Sequence, residues 1–139
     1  MMSTRLEAEA QRFVIGPHAC SFEPPDLMVV ELRGSIVVDH LTEYLRLRSM
    51  LLEGQSRLLT LLLLHDMQEI SADVRRSLSR TRDPRPQATA IVGARYRTRV
   101  LAELITKAMR FFTGKLIMLA FFDDPTQGRE WLGQMRGRL

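Results

Sequence analysis

The chain predicts an α/β fold: a five-stranded, mostly parallel sheet that opens with an antiparallel hairpin and carries about four helices. Three observations predict it. "HACSFEPPDLMVVELRG" reads as two short strands around a proline turn. "LLTLLLLH" is apolar on both faces, the pattern of a strand covered on both sides. From Gly34 onward, strand-like and helix-like periods alternate, which implies parallel strands joined by crossover helices.

Each element has a local reason. In "EPPD" the prolines interrupt a ladder and Asp favours a turn, so the flanking runs form a hairpin. Between Ile36 and Glu53, Leu41, Tyr44, Leu45, Leu51 and Leu52 recur at helical spacing; Asp39 suits the positive end of the dipole, and Gly54 can end the helix. The run at Leu58 follows as the central strand. Ser71 is placed to cap a helix through Arg82, with Asp73 in its first turn. "RDPRPQ" is a loop, and "ATAIVG" the next strand. Helical spacing resumes from Arg95 to Phe112, with Leu101, Leu104, Ile105, Ala108 and Phe112 on one side and Gly114 closing it. "KLIMLAFF" is a last buried strand. "DDPTQ" then gives a full start signal: Asp124 as cap, Pro125 at the first helical position, and Gln127 three after the cap. Trp131, Leu132 and Met135 supply the core face of that last helix.

The 139 residues fit a single α/β domain over 16–139, preceded by a segment, 1–15, that is loosely ordered or a short helix through "RLEAEAQR". The opening "MMSTRLEAEAQRF" lacks the continuous apolar core of a signal peptide, and the single cysteine, Cys20, has no internal partner, so a reducing, cytoplasmic location is expected. A membrane span needs about 20 apolar residues, and the run at Leu58 stops far short of that at His65. Charge is uneven. Between Arg75 and Arg110 ten Lys or Arg face only Asp83 and Glu103, so this segment carries +8 and the rest −4. Such a block suits an acidic partner, a phosphate or a lipid head group; it equally suits two solvated helix faces.

The element order, with "HACSFEPPDLMVVELRG", "LLTLLLLHD", "ATAIVG" and "LIMLAFFDDPTQGREWL" at matching positions, resembles the STAS domain, the fold of anti-sigma-factor antagonists and sulfate-transporter tails. More closely, it looks like the small stand-alone bacterial proteins grouped as sporulation-antagonist-like, or STAS/lipid-transfer-like. The resemblance spans roughly residues 16–136 and implies a regulatory, non-catalytic module that often self-associates, so a homodimer is compatible with it. Antagonists of this family carry a phosphorylatable Ser or Thr directly after an Asp at the end of the central strand. Asp66 matches that Asp, but Met67 follows it, and the first hydroxyl is Ser71. Phosphorylation at Ser71 would be favoured electrostatically at a helix N-terminus; a plain N-cap is the alternative.

In an open parallel sheet ligands collect at the carboxyl ends of the strands, which directs attention to the loops 65–71, 93–97 and 123–126. His65, Asp66, Ser71, Arg95 and Arg97 are the expected contact residues for a ligand or partner. Arg97 falls within about 20° of Leu104 on the helix and should lean over the strand ends, whereas Arg95 and Arg99 project away. Cations in a first helical turn call for compensation, by a bound anion or by Asp66 or Asp123. No catalytic residues are expected: His65 and Asp66 leave a strand in opposite directions and no nucleophile motif occurs. His18 and Cys20 share a strand face, which permits a thiol–imidazole contact or an ordinary buried Cys. Scattered His and Cys argue against a metal, and no glycine-rich phosphate loop implies a cofactor. Nucleic acid ranks low because most aromatics fit core positions. The leading expectation is a STAS-like module acting through protein association; the alternative is a small carrier holding an apolar or anionic, lipid-like ligand.

Overall fold

The computed structural model describes residues 11–68, 70–81, 83–114 and 116–139, apart from the side chains of residues 112 and 113. β-formers in alternation build the antiparallel part of the sheet: β1 (Arg12–Ile15), β2 (His18–Glu23) and β3 (Leu27–Arg33). The "EPPD" turn joins β2 to β3, with a cis bond between Pro24 and Pro25. The remaining elements alternate as read from the sequence: α1 (Val38–Leu51), β4 (Leu58–His65), α2 (Ala72–Arg80), β5 (Gln87–Val92), α3 (Tyr96–Thr113), β6 (Ile117–Phe122) and α4 (Pro125–Arg136).

The sheet therefore has six strands rather than five. The addition is β1, which pairs antiparallel with β2 from Arg12 opposite Ser21 to Ile15 opposite His18. Four residues are too few to display a period of two. Of the N-terminal segment 1–15, expected to be loosely ordered or a short helix through "RLEAEAQR", residues 1–10 lie outside those described, and its end, Arg12–Ile15, is strand instead because it pairs with β2.

Strand order follows the chain, β1 to β6, and β3 to β6 are mutually parallel. Successive right-handed crossovers moving one way across a sheet place their helices on one face. α1, α2 and α3 accordingly share a face, and α4, which follows the last strand, covers the other. β4 lies at the centre, and the alternation of its side chains divides the core. Leu59 and Leu61 pack with Ala88, Ala90, Leu132 and Met135 beneath α4, while Leu58 joins Met28, Val30 and Leu52 on the opposite side. Among the described residues no helix is long and apolar enough to cross a membrane.

Caps close the helices as the sequence implies. Ser71 Oγ accepts from Val74 N–H at 3.3 Å, and Asp124 Oδ1 accepts from Thr126 N–H at 2.8 Å. Ser71→Ala should cost about 1 kcal/mol, read as a lower midpoint in urea with an unchanged slope. α4 is tied to the far end of the hairpin. Arg129 makes a two-pronged contact with Glu23, and Arg136 reaches the buried carboxylate of Asp26, which also receives Arg57.

Candidate ligand cavity

α2 is short, and Val74 and Leu78 are its main apolar residues. It packs chiefly on α1 and α3, while α1 meets the β1 side of the sheet and α3 meets β6. On this face the central strands are thus left without a helix pressed onto them, whereas α4 covers their other face. A cavity of about 240 Å³ opens between the sheet, α1 and α3, with Leu78 of α2 at its border. Its floor is Thr60, Leu62 and Leu64 of β4 with Thr89 and Ile91 of β5; Thr98, Ala102, Ile105 and Met109 of α3 form one wall.

The opposite wall is α1, where His40, Tyr44 and Arg48 all line the cavity. Spaced by four residues, they form one ridge down the helix. Each carries a buried polar atom with no hydrogen-bond partner: His40 Nδ1, the Tyr44 hydroxyl and Arg48 Nε. Arg48 is 9 % exposed, and among the described residues it forms no ion pair. Its guanidinium carbon stands 5.9 Å from the centre of the Tyr44 ring. Thr60 and Arg48 both approach the Tyr44 hydroxyl without completing a hydrogen bond. Thr60 and Thr89 are side by side in the β4–β5 register, two pairs along from Leu58 and Gln87. The polar groups therefore gather toward the amino ends of the parallel strands.

The other polar corner holds His18 and His40, whose rings meet edge to face with centres 5.3 Å apart. His18 Nδ1 accepts from Arg33 N–H at 3.0 Å, so the imidazole proton sits on Nε2. The His40 ring lies against the backbone of Gly16, where a Cβ would fall on the imidazole; the positive φ of Gly16, +59°, also favours glycine.

Arg48 is the only Arg, Lys, Asp or Glu among the described residues that line this space. Burial, helped by the nearby His40, pushes the His18 pKa down, so it is neutral at pH 7. Burial and Glu43 push the Cys20 thiol up, and burial pushes the Tyr44 phenol up. Cys20 thus stays a thiol rather than a nucleophilic thiolate. The acid that feels Arg48 is Asp83, whose carboxylate is already bonded to Arg85 at 2.8 and 3.0 Å. The cavity offers donors, an apolar body and a single fixed cation. Among the described residues no group of three His, Cys, Asp or Glu is placed to hold a metal.

The residues expected from sequence lie mostly elsewhere. His65 ends β4 on the side of Leu59 and Leu61, away from the cavity, and its Nε2 is buried without a partner. Asp66 is exposed with φ of +50°, and Ser71 is an exposed cap. Arg95 and Arg97 are exposed at the start of α3. No hydrogen bond or ion pair among the described residues joins these five to one another. Arg97 does not lean over the strand ends, because the inward face of α3 is Thr98, Ala102, Ile105, Thr106 and Met109, while Leu104 is left 58 % exposed. The arginine that does approach the strand ends is Arg99, which donates to Ala94 O, lies over the Phe121 ring and stands 3.7 Å from Asp123. The loop 65–71 contributes Met67 and Ile70 to the cavity wall.

Sequence reasoning missed His40, Arg48, Thr60 and Thr89. A signal existed: polar residues at i, i+4 and i+8 on the apolar face that holds Leu41 and Tyr44, and lone threonines inside two otherwise aliphatic strands. No family model, curated protein or solved structure matches this chain.

Proposed function

We propose that this protein is a carrier or sensor of a small, largely apolar molecule held in the cavity between the sheet and α1, α2 and α3. The cavity itself carries the reading. Protein interiors pack like organic crystals, with few voids larger than a water. This opening of about 240 Å³ is lined mainly by apolar side chains with a few polar groups converging at one end, the form of a small-molecule site.

Ala102 on α3 faces this space. The neutral probe N-phenyl-1-naphthylamine should bind the parent with enhanced fluorescence. Ala102→Phe should weaken it at least about tenfold while melting at the same temperature or higher, since the ring fills a void. Equal probe binding by both proteins, or native mass spectra of cell-derived protein showing only apoprotein together with no probe binding, would sink the reading.

A second reading has its own observation. Tyr96, Val100, Leu104 and Phe111 are exposed along one side of α3, in the strongly basic part of the chain. That surface suits the STAS-like interaction module the sequence resembles, with Ser71 as the hydroxyl presented at the start of α2. Light scattering at tens of micromolar and affinity capture test it; a strict monomer that captures no protein partner counts against it.

A further inference from the structure

The carrier reading leaves the chemistry of the ligand open, and the polar end of the cavity narrows it. Resting on that reading, we propose that the molecule held here is a single-chain, singly charged anionic amphiphile of medium length. Its head group sits on Arg48, Tyr44 and Thr60, and its chain runs between the β4–β5 floor and α3.

Arg48 is more than nine-tenths buried, yet its Nε has no partner and no carboxylate of the described residues forms an ion pair with it. A cation held out of water without a counter-ion is expensive, and in natural proteins such charges are paired. The nearby Tyr44 hydroxyl is also unpartnered. Guanidinium and hydroxyl donors converging on one space want a group that only accepts, and a carboxylate offers two oxygens in the geometry a guanidinium favours. Asp83 cannot serve, because Arg85 occupies it. Arg48 is the one Arg or Lys among the described residues that line the cavity, and no Asp or Glu lines it, which matches a monoanion better than a doubly charged phosphate.

Size sets the length. A cavity of about 150 Å³ accommodates benzene, so about 240 Å³ admits on the order of ten non-hydrogen atoms, the size of octanoate. A two-chain lipid does not fit. The apolar residues Leu62, Ile91, Ile105 and Met109 line the cavity beside these polar groups.

Isothermal titration with octanoate and 1-octanol separates the two levels of this proposal. Octanoate should bind at least about tenfold more tightly than octanol, the ratio one charged hydrogen bond supplies. Arg48→Met should abolish that preference and leave octanol affinity unchanged, with a melting temperature no lower than the parent, because it removes an uncompensated charge. Should Arg48→Met fail to fold, Tyr44→Phe with Thr60→Val should weaken octanoate alone, by about three- to tenfold. Octanol binding as tightly as octanoate, or a preference that survives Arg48→Met, overturns the head-group assignment while the carrier reading stands. If neither compound binds and N-phenyl-1-naphthylamine does not bind either, both fall.

Discussion

Asp26→Ala is expected to remove about 3 kcal/mol of stability, a fall of roughly 10 °C in melting temperature for a domain of this size. Asp26 is 1 % exposed and receives Arg57 Nε at 2.9 Å, Arg136 Nε at 3.1 Å and the second Arg136 nitrogen at 2.9 Å. Its backbone carbonyl also accepts from Leu59 N–H. One carboxylate thus joins the hairpin turn, the start of β4 and the last turn of α4. Breaking a buried pair from one side costs about 3–5 kcal/mol. The lower end applies here because both arginines are only half-buried and recover hydration.

The same site gives a pH signature. Burial opposes the Asp26 charge, but the hydrogen bonds and charges of Arg136 and Arg57 outweigh it and hold the carboxyl below its usual range. A depressed folded-state pKa means the stabilisation is complete above the unfolded value, about 4, and disappears as pH falls through the folded one. Urea midpoints measured from pH 7 to pH 2 should therefore drop in the acid limb for the parent, and the drop should be shallower for Asp26→Asn. Parallel profiles for the two proteins would refute this assignment of the acid limb.

The second large effect lies where α4 meets the sheet. Leu61→Ala should cost about 3 kcal/mol, since Leu61 is 1 % exposed in the centre of the larger core cluster. Gly128 explains why α4 comes so close. A Cβ there would stand 2.9 Å from Leu61 Cδ1 and 3.4 Å from Ala90 Cβ. Gly128→Ala in the parent should cost about 1–2 kcal/mol, although Ala is the better helix former by about 1 kcal/mol. With Leu61→Ala already present, the added methyl finds room and should become neutral or stabilising. Chemical denaturation of the four proteins would read this coupling as at least about 1 kcal/mol; simple additivity would show that the two groups do not compete for space.

Much of the scaffold was legible because its signals are local. The double-sided apolar run at Leu58 to Leu64 does form the central strand, and Asp124 with Pro125 does begin α4. Such features depend on a few neighbouring residues and on periods of 2 or 3.6. β1 escaped because four residues at an edge carry too little pattern. The inward face of α3 was misjudged for a different reason. Its apolar residues spread around the helix, and spacing alone does not say that Leu104 stays outside while Thr106 is buried.

By itself, then, the sequence determined the order of strands and helices from β2 onward, the parallel sheet, the central place of the leucine run and the capped helix starts, all consequences of short-range chemistry. Only the tertiary structure decided where the candidate site lies. The distance of α2 from the sheet, the register that sets Thr60 beside Thr89, and the absence of a carboxylate opposite Arg48 among the described residues are relations between remote segments. They arise when six strands and three crossover helices are brought onto one face, and no local pattern encodes the space left between them.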